Sequence, residues 1–134
     1  MARTKGRIEA EVSDAIVRFE KEYMGRGPVE AKAYLLDDMV IVRLQGVITQ
    51  AEKHLSDSGD DQTGRELIKQ TRRELIEKAR PLLEAAVRDI VGAPVQSLHT
   101  DISTRTGERL IVFTLGAAPR IDAPGRPSGP PQSE

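Results

Sequence analysis

The 134-residue chain contains no cysteine and no tryptophan. Without thiols there is no disulfide staple, no cysteine nucleophile and no thiolate metal site. Such a chain suits a reducing compartment. Aromatic residues make up 3%, and Phe19, Tyr23, Tyr34 and Phe113 are the whole supply. Recognition of single-stranded nucleic acid relies on several exposed rings for stacking, so this scarcity argues against it. An excess of one charge is also missing. Twenty basic residues face 21 acidic ones, leaving a net charge of −1. No global field draws the chain to nucleic acid or to anionic lipid, and electrostatic recognition must be local. Long apolar runs are absent as well. Met39–Val42 and Leu110–Phe113 are among the longest, far below the ~20 residues that span a bilayer. Met1–Ala10 is polar with no apolar h-region, so no secretory signal is expected. The expected location is the cytoplasm, including the inner face of its membrane.

What is present reads as an α+β domain. From Arg7 to Met24, Ile8, Val12, Ala15, Ile16, Phe19 and Tyr23 recur at spacings of three and four, one apolar stripe of a helix. Gly25 and Pro28 stop it. Ala31–Leu36 and Met39–Val47 read as strands joined by a tight Asp37-Asp38 turn. Thr49 and Glu52 form a capping box for a short helix over Gln50–Leu55. The polar SDSGDDQ segment, 56–62, reads as a loop that does not fit the calcium-loop template. Thr63 and Glu66 open a long helix to Val91, with Leu67, Ile68, Thr71, Leu75, Ala79, Leu82, Ala86 and Ile90 as its expected buried stripe. Pro81 lies inside it and predicts a kink, or two helices meeting near Arg80. Val95–Ile102 and Glu108–Leu115 read as a second hairpin around Thr104–Gly107.

The order α-β-β-α-β-β predicts a four-stranded, mainly antiparallel sheet with the helices on one face. The strands led by MVIV and LIVFTL are expected at its centre. Residues 1–116 form this domain, and 117–134, with five prolines, is expected to be a disordered tail. The LIVFTL strand would leave apolar surface on the helix-free face, which predicts a homodimer.

Four clusters are candidates for chemistry. Gly25-Arg26-Gly27 could bring backbone and guanidinium to an anion, though its spacing matches neither the P-loop nor the dinucleotide fingerprint. A helix stop followed by a turn explains it equally. His99 and Asp101 share one face of a strand with Ser97. They could serve acid–base chemistry, but two histidines are too few for a histidine metal site and no nucleophile elbow is present. Arg65, Lys69, Arg72 and Arg73 fall mostly on one helix face. Interleaved Glu66, Glu74 and Glu77 make a solvated, salt-bridged surface the plain alternative. The SDSGDDQ loop is the fourth, and a linker is its simplest role.

Four segments together, IEAEVSDAIVRFEKEYMGRGP, DDMVIVRLQGVITQAEKHL, ELIKQTRRELIEKARPLLE and SLHTDISTRTGERLIVFTL, resemble the bacterial MpsC-like family over Gly6–Leu115. The family is named for a sodium-translocating, membrane-potential-generating system. The resemblance implies a small protein without a membrane span, associated with a membrane system linked to inorganic-carbon supply, and it brings no catalytic residues. The expectation is therefore a non-enzymatic accessory or regulatory protein that binds a partner protein, such as a membrane-transport component, or a small anion. Gly25, Arg26, Gly27, His99, Asp101 and Arg105 are its recognition residues, with no cofactor and no metal. An RNA- or nucleotide-binding module and a hydrolase or lyase using His99 and Asp101 are the alternatives.

Overall fold

The computed structural model describes residues 3–25, 27–57 and 63–122. A two-residue strand, β1 (Arg3–Thr4), leads into helix α1 (Lys5–Tyr23). Thr4 caps the helix, its hydroxyl accepting from the Arg7 N–H at 3.3 Å. Ile8, Val12, Ile16 and Phe19 are buried as their spacing requires. Tyr23, expected on the same stripe, is 46% exposed and stacks on Phe19 at 4.9 Å. Gly25 then takes φ +81°, the left-handed turn that ends many helices.

Strands β2 (Glu30–Leu36) and β3 (Met39–Gln45) form the first hairpin, with Asp37 at φ 55° in its two-residue turn. Thr49 and Glu52 make the expected reciprocal cap of α2 (Gln50–Asp57): each backbone N–H reaches the other's side-chain oxygen, at 3.0 and 3.1 Å. Of the SDSGDDQ loop, residues 58–62 lie outside the described residues. Helix α3 (Thr63–Val91) follows, then β4 (Val95–Ser103) and β5 (Glu108–Leu115). The sheet order is β2-β3-β5-β4, all antiparallel. The two apolar strands are central, as their sequences predict.

The fold thus matches the expected α+β plan, with two corrections inside α3. First, of the two outcomes expected at Pro81, separate helices do not form: the long helix to Val91 runs through it as one element of 29 residues. Pro81 is exposed and so is Glu77, so water can serve the Glu77 carbonyl that loses its donor. Second, the buried stripe is Ile68, Arg72, Ile76, Ala79, Leu83, Val87 and Val91. Leu67, Leu75 and Leu82, expected inside, are 51%, 40% and 54% exposed. The helix is rotated by about one residue from the sequence reading.

The core lies between the helices and the inward row of each strand: Ala33 and Leu35, Val40, Val42 and Leu44, Ile111, Phe113 and Leu115, Leu98 and Ile102. The expected tail begins with structure. Ile121–Asp122, strand β6, pairs in parallel with β1. Residues 123–134 lie outside the described residues.

Candidate functional site

Period-two alternation in β5 sends Arg109, Ile111, Phe113 and Leu115 to the same, helix-facing side. Arg109 is 2% exposed, an arginine at a core position. Arg72, at i+4 from Ile68 and i−4 from Ile76, is 4% exposed for the same reason. Glu20, at i+4 from Ile16 near the end of α1, is fully buried. These three, with Glu52 of α2, bring charges from four elements to one place.

Their bonding is uneven. Arg72 grips Glu52 as a fork, Nε to Oε2 at 2.9 Å and Nη2 to Oε1 at 2.7 Å, and Nη2 also donates to the Val47 carbonyl at 2.9 Å. That is the strong, bidentate form of an arginine–carboxylate pair. Glu20 has no such bond. Its Oε1 stands 3.9 Å from Arg72 Nη1 and its Oε2 3.9 Å from Arg109 Nε, beyond hydrogen-bond range. All four of those atoms are buried without a hydrogen-bond partner. Arg109 donates from Nη1 to the Thr100 hydroxyl at 3.1 Å. Removing each ion from water costs several kcal/mol, so this arrangement carries electrostatic tension at Glu20 and Arg109. Burial pushes the Glu20 carboxyl above its ordinary 4.5, against the pull of Arg109 and Arg72. Burial likewise lowers the Arg109 guanidinium, against the pull of Glu20. Burial alone would raise Glu52 too, but the hydrogen bonds from Arg72 and Thr49 outweigh it and hold that carboxyl below 4.5.

Toward solvent, Arg72 and Arg109 line a narrow cleft of about 20 Å³ with Lys69, Arg73, Thr100, Asp101 and Ile102. A wider pocket of about 350 Å³ shares Lys69, Asp101 and Ile102 with it and adds Ser103, Thr104, Arg105, Glu108 and Leu110. Lys69 pairs with Asp101 at 3.3 Å across this entrance.

Two residues singled out in the sequence, Asp101 and Arg105, therefore meet at the wider pocket. His99 does not line it. It stands exposed on the edge strand β4, its Nε2 3.2 Å from the Ser97 hydroxyl. Ser97 is also bonded to Thr114, and Asp101 accepts from the Ile102 N–H at 2.9 Å as well as pairing with Lys69. Serine, histidine and aspartate are thus engaged elsewhere and form no relay. Gly25 caps α1, and Gly27 lies so close to Lys21 that a Cβ would meet its Cε at 2.8 Å. Arg26 lies outside the described residues. Among the described residues, no hydrogen bond or ion pair joins Gly25 or Gly27 to His99, Asp101 or Arg105. Of the basic helix cluster, Arg72 turns inward while Arg73 stays exposed. The sequence marks neither Glu20 nor Arg109 as a candidate, and Glu52 only as a helix cap. The signal for Glu20 and Arg109 was there: a charge at a core register position of α1 and of β5.

The family model described as "Na+-translocating membrane potential-generating system (MpsC)" matches residues 4–117. The chain is also 46% identical over 115 residues to the uncharacterized protein YbcI of Bacillus subtilis (strain 168), covering 86% of this chain and 90% of the relative. No solved structure matches it.

Proposed function

The chain belongs to the MpsC family, and from that premise we propose that it is a non-enzymatic accessory protein acting at a membrane system through contact with another protein chain. No helix among the described residues is long and apolar enough to cross a membrane. A protein of this kind reaches a membrane system by docking to a component of it.

One observation carries the reading. The sheet face away from the helices bears a continuous cross-strand row, Tyr34, Ile41, Val112 and His99, set by the registers of the three strand pairs. Leu36 and Leu110 flank it and are 54% and 41% exposed, and Tyr34 is 43% exposed. Aromatic and branched side chains ringed by polar groups are the usual make-up of a protein interface. His99 and Asp101 mark its polar rim. A second copy of the chain can cover the same face, the homodimer expected from the LIVFTL strand. The engagement of Ser97, His99 and Asp101 with other partners weighs against a hydrolase, and the scarcity of rings on this face weighs against RNA.

A photo-crosslinking residue placed at Val112 in cells tests this, with Glu74 on the exposed side of α3 as control. Adducts to a membrane-integral protein from position 112 alone are expected. Adducts to a second copy alone would reassign the face to a homodimer and remove membrane docking through it. No adduct in excess of the control would overturn the reading.

A further inference from the structure

We propose that the cleft lined by Arg72 and Arg109 is a binding site for a small oxyanion, with the adjoining wider pocket as its approach. This does not depend on how the open sheet face is used.

Positive charge at the cleft is left unspent. Lys69, Arg72, Arg73 and Arg109 bring four cations to the cleft, while the carboxylates that face them are three: Glu52 on Arg72, Asp101 on Lys69, and Glu20 between the two buried arginines. Glu20 serves neither arginine with a hydrogen bond. Arg72 and Arg109 are each more than nine-tenths buried, and the N–H groups that lack a hydrogen-bond partner, Arg72 Nη1 and Arg109 Nε, are those nearest Glu20. A guanidinium held in the core by packing and bordering a solvent-connected cleft is pre-organised for an anion. Arg73 and Arg105 have no ion-pair partner among the described residues, and both stand where an anion would enter. The Thr100 hydroxyl, already on Arg109, adds a neutral donor or acceptor. The cleft itself holds little more than one water-sized group, so one oxygen of the anion enters it and the rest of the head lies in the wider pocket. The wider pocket, at about 350 Å³, has room for an organic body attached to that head.

The oxyanion is therefore either a free inorganic ion or the phosphate of a small metabolite. Calorimetric titration of the full chain separates these. Sodium sulfate, sodium phosphate and glycerol 3-phosphate are the probes, with sodium chloride at equal ionic strength as the blank. Saturable binding of at least one probe is expected. Equal affinity for phosphate and its ester identifies an inorganic ligand, and about tenfold tighter binding of the ester identifies a metabolite. Arg73→Ala and Lys69→Ala, both at the rim, should each weaken binding by about tenfold, the loss of one charge-assisted contact. Asp101→Asn should tighten it by releasing Lys69. The absence of saturable binding up to about 10 mM of every probe, or binding that Arg73→Ala and Lys69→Ala both leave unchanged, overturns the proposal.

Discussion

Arg109 occupies a place where the alternation of β5 calls for an apolar side chain, and its partner carboxylate does not reach it. Glu20 and Glu52, two glutamates on the same arginine cluster, consequently respond to pH in opposite senses. Burial raises Glu20, so its contribution to stability is full below pH 4.5 and declines as pH rises through the raised value. Hydrogen bonds lower Glu52, so its contribution is full above pH 4.5 and is lost as pH falls through the lowered value. Urea unfolding between about pH 3 and about pH 8 should show both limbs. Glu20→Gln should flatten the decline on the higher-pH side, and Glu52→Gln the loss on the acid side. At neutral pH, Glu52→Gln should cost about 2–3 kcal/mol through the lost charged hydrogen bonds, whereas Glu20→Gln has none to lose. An unchanged higher-pH limb in the Glu20 variant would assign that limb elsewhere. These residues were legible only in part. Pairing by sequence spacing finds Arg65, Lys69, Arg72 and Arg73 as one surface cluster, because nothing local says that one of them turns inward.

Helix α3 shows why. It carries two stripes one residue apart. Leu67, Leu75 and Leu82 lie on one, and Ile68, Ile76, Leu83, Val87 and Val91 lie on the other, which is buried although Arg72 interrupts it. A reading that sorts residues by polarity rejects the second stripe because of its arginine. The structure selects it because Glu52 and the Val47 carbonyl are waiting for that arginine. Caps and turns were easier to read: Thr49 with Glu52, Asp37 in the hairpin and Gly25 after α1 each satisfy backbone groups through nearest neighbours. Pro81 belongs to this scale too. Its position is exposed and its missing N–H leaves one helix carbonyl to water. Pro81→Ala should therefore stabilise the fold, by up to about 3 kcal/mol, in thermal and urea unfolding. A destabilised variant would show that α3 needs the local geometry proline imposes.

At the scale of the molecule, the order of elements, the antiparallel sheet and its central strands followed from hydrophobic period and turn chemistry. The parallel β1–β6 clip did not, since two residues joined across the length of the chain leave no periodic trace. Deleting residues 117–134 should release β1 and leave the four-stranded sheet intact. Hydrogen exchange should quicken at Arg3–Thr4 and not in β3 or β5, with a stability loss below about 2 kcal/mol. Quickened exchange across the sheet would mean that the clip supports the whole domain. The buried arginines bear on how the chain reaches this state at all. Arg72 finds its carboxylate only when α2 lies against α3, and Arg109 finds Thr100 and Glu20 only when the second hairpin and α1 are both in place. Any intermediate that closes the core around one of these charges without the rest strands an ion away from water. Half-built forms are thereby disfavoured, and unfolding should proceed as a single concerted transition rather than by shedding one layer at a time.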